Sequence, residues 1–138
     1  MPELNFGGAT ENITTREEFP LEYAREVLGK GPIATLGYGI QGRGQSLNLR
    51  DNGFSVVIGQ RPGKHYDAAI ADGWVPGETL FSLEEAAYRG PIKQYLLHDA
   101  GQVEQWPKVR GTLKEGDTLV FSHGFGIHFS KHTGIKQR

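Results

Sequence analysis

The sequence predicts an α/β fold in which a doubly wound parallel sheet forms a single domain. Three observations carry this prediction. Short apolar runs recur along the chain, segments with helix-capping signals separate them, and a glycine-rich turn follows the first buried run. The 138 residues are enough for one domain with a real core and too few for a second full domain. We therefore expect about five strands in the order 3-2-1-4-5, with helices on both faces of the sheet.

Composition and charge exclude several classes of protein. The formal net charge of -1 gives no global basic field for nucleic acid or for an anionic membrane. The absence of cysteine excludes disulfides, thiolate metal sites and a cysteine nucleophile. No apolar run approaches the roughly 18 residues that a membrane span needs. The first residues lack the basic start and apolar core of a leader, so the sequence favours a cytoplasmic protein with no nucleic-acid or membrane partner.

The predicted sheet is organised around the stretch from Ile33 to Gly42. In this stretch Gly37, Gly39 and Gly42 have the G-x-G-x-x-G spacing of a dinucleotide-binding turn. The first glycine of such a turn permits a tight bend, the second lets the backbone approach a pyrophosphate, and the third lets the helix pack closely on the strand. An ordinary turn between a strand and a helix is the alternative. A second apolar run, Phe54–Ile58, favours the dinucleotide turn because it completes a strand, helix, strand unit.

The loop after the second predicted strand indicates which dinucleotide would bind. Enzymes that prefer NAD place an acid about 20 residues past the glycines, where it binds the ribose 2'-hydroxyl. No acid occurs between Gly53 and Tyr66, and Arg61, Lys64 and His65 stand there instead. A 2'-phosphate carries nearly two negative charges and suits these basic groups, so the sequence favours NADP over NAD. The alternative is that these residues are simply solvated in an exposed loop.

The segment before the glycine turn divides into two parts. Residues 1–13 are expected to be an extended lead-in, and residues 14–138 to form the dinucleotide domain. Thr15 and Glu18 have the spacing of a capping box, which predicts a short helix ending at about Leu28.

The rest of the chain is expected to continue the alternation of strands and helices, and the tail 131–138 is polar. The predicted elements are a helix at 66–71, a third strand within 74–81, a helix at 82–88 opened by a capping box, a fourth strand at 92–98, a helix at 103–113 and a fifth strand at 118–122.

His123 is the best catalytic candidate from the residues alone. It follows an apolar strand and precedes a glycine, at the strand end where substrates gather in parallel sheets. A structural histidine bonded to a backbone carbonyl would look the same in the sequence. A metal site built from His123, His128 and His132 is disfavoured, because residues 121–138 contain no acid and nearby glycines argue against a helix before His128.

Several segments occur together in an order that is far more specific than any one motif. They are Gly37–Gly42, Gln45–Gly53, Val57–Arg61, Ala69–Val75, Leu96–Gln102 and Phe121–Phe125. In this order the chain resembles the N-terminal, Rossmann-type NADP-binding domain of the ketol-acid reductoisomerase (acetohydroxy acid isomeroreductase) family. The resemblance implies that the intact enzyme isomerises and reduces acetolactate or acetohydroxybutyrate to dihydroxy acids in branched-chain amino-acid biosynthesis. It also implies a magnesium-dependent alkyl migration followed by hydride transfer from NADPH.

The resemblance implies roles for particular residues. Tyr38 and its neighbours up to Gln41 would contact the pyrophosphate, Arg61 would bind the 2'-phosphate with Lys64 as a helper, and His123 would be the active-site histidine. The cofactor-binding residues that it implies are Gly37, Tyr38, Gly39, Ile40, Gln41, Gly42, Arg61, Lys64, Asp99, Ala100, Gly101 and Gln102, the last four in a second cofactor loop.

Two departures from the family pattern are visible. His98 stands where a small hydroxylated residue is usual, and the sequence does not decide whether its bulk or charge disturbs the cofactor loop. In this family a helical C-terminal domain supplies the magnesium carboxylates, and the resemblance covers only the domain before it, so the helical domain is expected to be missing from this chain. We therefore expect NADP(H) as the cofactor, Mg²⁺ only together with that domain, and little turnover by this chain alone. Association with itself or with the missing domain is expected, because a sheet edge and an apolar face would be uncovered. A free-standing nucleotide-binding or assembly module without catalysis is the alternative, and a complete small NADP oxidoreductase ranks last.

Overall fold

The computed structural model describes residues 1–136, and the chain divides into two compact units, Met1–Lys30 and a unit that begins at Gly31. The unit with the parallel sheet therefore begins later than the boundary at residue 14 suggested by the sequence.

The first unit contains a β-hairpin where the sequence suggested an extended lead-in. Strands β1 (Glu3–Phe6) and β2 (Ala9–Asn12) pair in antiparallel orientation. Gly7 and Gly8 join them with φ of 64° and 103°, values that glycine adopts readily and that a two-residue hairpin turn requires.

Helix α1 (Leu21–Leu28) follows the hairpin and begins later than the capping box predicts. Pro20 disfavours helical geometry for the residue before it, so Pro20 becomes the N-cap and the helix starts after it. One half of the capping box still forms, because the Thr15 N–H donates to the Glu18 carboxylate over 3.3 Å.

The second unit is built from a parallel sheet and six helices within its described residues. Its strands are β3 (Ile33–Leu36), β4 (Val56–Gly59), β5 (Leu80–Phe81), β6 (Ile92–Tyr95) and β7 (Thr118–Val120). Its helices are α2 (Ile40–Asp51), α3 (Lys64–Ala71), α4 (Leu83–Arg89), α5 (Asp99–Gly111), α6 (Phe125–His128) and α7 (Ser130–Thr133). The strand order is β5-β4-β3-β6-β7 with every pair parallel, which confirms the predicted order 3-2-1-4-5.

The two central strands explain why the sheet needs helices on both faces. Every residue of β3 and β4 is buried. Buried side chains form two separate apolar clusters, one around Tyr95 and Trp106 and the other around Tyr38 and Trp74. This arrangement confirms the doubly wound α/β fold.

Several elements are shorter or start elsewhere than predicted. The third strand contains only the two residues of β5, because the chain from Val75 to Thr79 forms a hydrogen-bonded turn. The fourth and fifth strands end at Tyr95 and Val120, so the residues after them are free to build loops at the sheet edge. The capping box at Ser82 is confirmed, since its Oγ accepts the Glu85 N–H over 3.2 Å.

The end of the described chain folds back onto the sheet. Helix α6 forms although glycines were expected to prevent a helix before His128. Helix α7 ends at Gly134, whose φ is 74°, and Ile135 is buried in the apolar cluster around Tyr95. The predicted polar tail therefore contains a helix and a core residue, and its last two residues lie outside the described part. None of the helices between residues 1 and 136 combines the length and the apolar character that a membrane crossing requires.

Candidate dinucleotide-binding site

The candidate site lies where parallel strands end together. The carboxyl ends of β3, β4, β6 and β7 meet at one edge of the sheet, because all four strands run in the same direction. The glycine turn follows β3, Gln60 and Arg61 follow β4, and His123 comes three residues after the end of β7. This is the edge at which ligands bind in open α/β sheets.

The three glycines of the turn have different environments. Gly37 has φ of 99°, and its N–H donates to the Gly59 carbonyl over 2.8 Å. A Cβ on Gly42 would lie 1.9 Å from the Gly37 carbonyl oxygen, so the close packing of helix on turn requires glycine there. A Cβ on Gly39 would meet nothing within 4 Å. Glycine at position 39 thus leaves open space beside the backbone, which fits the approach of a diphosphate.

The N-terminus of α2 fits the same ligand. No side chain within residues 1–136 caps this terminus, whose N-cap is Gly39. Ile40, the first helical residue, is 92% exposed. Amide groups at such a terminus bind anions through hydrogen bonds and through the helix dipole. The geometry is therefore that of a phosphate cradle.

Tyr38 is held by partners inside the protein. Its hydroxyl donates to the Asp72 carboxylate over 2.8 Å and accepts the Trp74 indole N–H over 2.7 Å. Burial, followed by the hydrogen bond to Asp72, raises the pKa of Tyr38 to about 12. Its backbone N–H donates to the Gln60 side chain over 2.7 Å. Both donors of Tyr38 are thus engaged within the chain, and its contact with a pyrophosphate stays a prediction.

Gln60 is a candidate residue that the sequence reasoning missed. Its Oε1 accepts the Tyr38 N–H, and its Nε2 donates to the Arg61 carbonyl over 3.2 Å. The side chain therefore bridges the glycine turn and the basic loop. Gln60 lies about 20 residues past the first glycine, at the place where NAD enzymes carry an acid. The spacing from the glycines marks this position, but the neutral Gln60 side chain carries no charge that would indicate a role.

Arg61 lines a groove of about 480 Å³ at the same edge. The groove is lined by Gln60, Arg61, Pro62, Tyr66, Gly77, Leu80, Phe81, Ser82, Leu83, Glu84, Glu85, Gln105 and Lys108. Lys64 and His65 begin α3 and are exposed, outside this lining. An Arg61 guanidinium nitrogen lies 3.9 Å from a carboxylate oxygen of Glu104 on α5. The charged side chains of the groove are the cations Arg61 and Lys108 and the carboxylates Glu84 and Glu85, so binding of the adenosine end of a dinucleotide phosphate there stays a prediction.

The predicted second cofactor loop is helical. Asp99 and the three residues after it form the first turn of α5. His98 is the N-cap of this helix, and its Nδ1 accepts the Gly101 N–H over 2.9 Å. His98 therefore stabilises the start of this segment, an effect that the sequence left open. The Gln102 side chain is buried and donates to the Leu97 carbonyl over 2.9 Å, so its amide N–H is already engaged.

His123 and Asp99 come together in the structure. His123 Nε2 lies 3.2 Å from Asp99 Oδ1, and its Nδ1 accepts the Phe125 N–H over 3.3 Å. Because Nδ1 accepts, a neutral His123 carries its proton on Nε2, directed at Asp99. Both side chains are about half exposed, so they are accessible at the edge of the sheet.

A polar chain connects the glycine helix to the segment that carries His123. Gln45 on α2 donates to the Ser122 hydroxyl over 2.8 Å and accepts from Gln94 over 3.3 Å. The Thr35 hydroxyl in turn donates to Gln94 over 2.9 Å. Sequence reasoning gave none of these residues a role. Their hydrogen bonds fix α2 relative to the residue before His123.

These features define the class of protein. A doubly wound parallel sheet whose first strand leads into a G-x-G-x-x-G turn and an uncapped helix terminus is a Rossmann-type dinucleotide-binding domain. The sequence model of one family, described as the NADPH-binding domain of acetohydroxy acid isomeroreductase, matches residues 27–137. The chain belongs to this family, whose full-length relatives are named ketol-acid reductoisomerases.

Similar proteins and a similar solved structure agree with this assignment. A ketol-acid reductoisomerase (NAD(+)) of Desulfosudis oleivorans is 60% identical over 136 residues, which are 98% of this chain and 39% of the relative. The mitochondrial ketol-acid reductoisomerase of Saccharomyces cerevisiae is 45% identical over 137 residues, or 99% of this chain and 35% of the relative. A structure of an NADH-preferring ketol-acid reductoisomerase from an uncultured archean matches with a TM-score of 0.68 and 31% identity, covering 76% of this chain and 33% of that one. The chain thus spans little more than a third of the length of these relatives.

The distribution of metal-ligating side chains bears on the magnesium that the resemblance implies. Within residues 1–136 no group of three or more His, Cys, Asp and Glu side chains is arranged to hold a metal ion. His123, His128 and His132 are among the residues to which this statement applies.

Proposed function

We propose that this chain is the NADPH-binding portion of a ketol-acid reductoisomerase that converts acetolactate or acetohydroxybutyrate to dihydroxy acids in valine, isoleucine and leucine biosynthesis. The observation that carries the proposal is the uncapped N-terminus of α2 behind the open position at Gly39. It lies at the sheet edge that also holds Arg61 and His123. A phosphate cradle with a basic groove after one strand and a histidine after another suits a bound dinucleotide phosphate.

The proposed roles follow from position and chemistry. The backbone from Gly37 to Gly42 holds the diphosphate, Arg61 binds the 2'-phosphate, and Lys64 assists from the exposed start of α3. The first turn of α5, from Asp99 to Gln102, borders the cofactor. When bound, NADPH supplies the hydride for the reductive step.

His123 is proposed as the active-site histidine. Its Nε2 faces Asp99 over 3.2 Å, and a carboxylate partner orients an imidazole and stabilises its charged form. This pair can hold or release a proton at Nε2 beside the bound substrate. The metal and most of the substrate pocket are assigned to the part of the enzyme beyond this chain.

NADPH is proposed over NADH because of the loop after β4. Arg61 lines the groove, Gln60 is neutral, and no acid occurs between Gly53 and Tyr66. The description of the family names NADPH, whereas the Desulfosudis relative is named for NAD(+). The cofactor preference of this chain therefore has to be measured and is not inferred from the names of its relatives.

Titration of the chain with NADPH and NADH tests the proposal. Tryptophan fluorescence or calorimetry should show NADPH binding more tightly than NADH. Arg61→Gln should weaken NADPH binding by about tenfold with a smaller effect on NADH, because a charge-assisted hydrogen bond to the 2'-phosphate is lost. Arg110→Gln is the matched control, since it removes the same charge from the last turn of α5 and should leave both affinities unchanged. Equal or absent binding of the two dinucleotides would refute the proposal.

Complementation tests the enzymatic part. Adding the separately produced helical portion of a relative, with Mg²⁺, should produce acetolactate reduction well above the little or no turnover that we expect from this chain alone. Restored activity would distinguish the proposal from a free-standing assembly module, which the comparisons do not favour. The small-molecule substrate and the association with a second copy or a helical domain belong to the same proposal. The cytoplasmic location remains a prediction from the sequence, and the yeast relative is named as mitochondrial.

A further inference from the structure

Helix α5 runs past both ends of the candidate site. Asp99 in its first turn pairs with His123, and Glu104, five residues further on, pairs with Arg61. A rise of 1.5 Å per residue separates these two acids by about 7.5 Å along the helix. Gln105 and Lys108 of α5 form part of the groove wall that Arg61 also lines. The acid that faces Arg61 therefore comes from a different element than the loop in which dinucleotide enzymes usually carry one.

The geometry of the Arg61 and Glu104 pair makes it easy to separate. The nearest nitrogen and oxygen lie 3.9 Å apart, and the two side chains are 63% and 61% exposed. Exposed pairs of this kind contribute little to stability and are screened by salt. The pair is thus not needed to hold α5 in place, since His98 caps the helix and the core packs its other face.

A 2'-phosphate on Arg61 would meet the carboxylate of Glu104. The phosphate brings nearly two negative charges to a guanidinium that already has an acidic partner, so the two acidic groups compete for the same cation. A 2'-hydroxyl brings no charge and causes no such conflict. The neighbouring Gln60 is neutral and treats both cofactors alike in this respect.

We propose that Glu104 is a specificity-determining residue that acts through Arg61 and limits the preference of this chain for NADPH over NADH. The proposal rests on the proposed function of the site. Glu104 competes with the 2'-phosphate for the guanidinium, so the measured preference is smaller than Arg61 alone would give.

Three variants isolate the effect. Glu104→Gln removes the charge and keeps the shape, and Glu104→Asp keeps the charge. Glu115→Gln is the matched control, because it removes the same charge from an exposed turn before β7, at the amino end of that strand and not at the carboxyl end that holds the site. None of the three substitutions changes a core residue, and thermal unfolding checks that each variant folds.

Dissociation constants for NADPH and NADH, measured by calorimetry at low salt, are expected to separate these variants. Glu104→Gln should lower the NADPH constant about three- to tenfold and change the NADH constant less than about twofold. Glu104→Asp and Glu115→Gln should stay within about twofold of the unchanged chain for both cofactors. The gain for NADPH should shrink when the ionic strength is raised, because the groups are exposed.

A background without the guanidinium completes the test. In the Arg61→Gln chain, adding Glu104→Gln should give a smaller gain for NADPH than it gives with Arg61 present. An equal gain in both backgrounds, an equal gain for NADH, or the same gain from Glu115→Gln would overturn the role of Glu104 while leaving the proposed function standing. A chain that binds neither dinucleotide would overturn the proposed function, and this inference with it.

Discussion

Substitution of two glycines of one turn by alanine should affect different properties, stability at Gly42 and cofactor binding at Gly39. In Gly42→Ala the added Cβ would lie 1.9 Å from the Gly37 carbonyl oxygen and 2.9 Å from the carbonyl carbon. Both neighbours are backbone, so either the turn or the start of α2 must move. Overpacking of this kind costs about 1–3 kcal/mol or more, and the higher helix propensity of alanine returns about 1 kcal/mol. We expect the free energy of unfolding to fall by about 2 kcal/mol.

Gly39→Ala should instead affect binding. Its Cβ would meet no protein atom within 4 Å, and its φ of -78° suits alanine. Alanine is a poorer N-cap than glycine, which costs no more than about 1 kcal/mol. The methyl group would occupy the space that the diphosphate needs, so NADPH binding should weaken at least about tenfold, or about 1.4 kcal/mol.

Chemical denaturation and NADPH titration of the same samples separate the two effects. Trp74 and Trp106 are buried in different clusters of the second unit and report its unfolding by fluorescence. Gly44→Ala is the control within α2, since its Cβ also meets nothing within 4 Å. It should stabilise the chain by up to about 1 kcal/mol and leave binding unchanged. A Gly42→Ala chain as stable as the original, or a Gly39→Ala chain that binds NADPH normally, would refute the reasoning.

Further outcomes follow from buried polar groups and from exposed apolar surface. Tyr38→Phe should lower the free energy of unfolding by about 2 kcal/mol, because the buried Trp74 N–H loses its acceptor. The stabilisation from the Tyr38 hydroxyl should persist below about pH 10 and disappear as the pH rises to about 12, which denaturation at alkaline pH measures. Lys93→Met should cost about 3 kcal/mol in denaturation at pH 7, because it leaves Asp117 largely buried without its cation. Burial alone would raise the pKa of Asp117, but hydrogen bonds from Lys93 and from the Lys114 N–H hold it below its usual value. The stability from this carboxylate is thus full above about pH 4 and lost as the pH falls through the folded value. Sedimentation at high concentration should show association, and a clean monomer would contradict it.

The sheet could be predicted from the sequence because its signals are local. Apolar runs bounded by glycine and proline give the existence and order of the strands, and the spacing of Gly37, Gly39 and Gly42 gives the turn. Element ends were less accurate because they depend on tertiary partners. The third strand pairs over only two residues, and Trp74, expected within that strand, packs in the core beside Tyr38.

The site was predictable in outline and not in its connections. Position along the chain indicated Arg61 and His123 as separate candidates. Their acidic partners Asp99 and Glu104 became visible only in three dimensions, because each pair joins residues far apart in the sequence. The role of Gln60 was missed for a different reason, since a neutral side chain gives no charge signal and its hydrogen bonds depend on the turn geometry.

The start of α5 decides how the two ends of the site are connected. Sequence reasoning gave His98 no capping role and began the helix at Val103, which would have left Asp99 in a loop. The structure uses the His98 imidazole as an N-cap, and this extends the helix back to Asp99. One rigid element then carries both acids, so their separation is set by helical rise rather than by loop conformation. A change at position 98 should therefore alter the pairing of Asp99 with His123 while leaving Glu104, more than one turn inside the helix, beside Arg61.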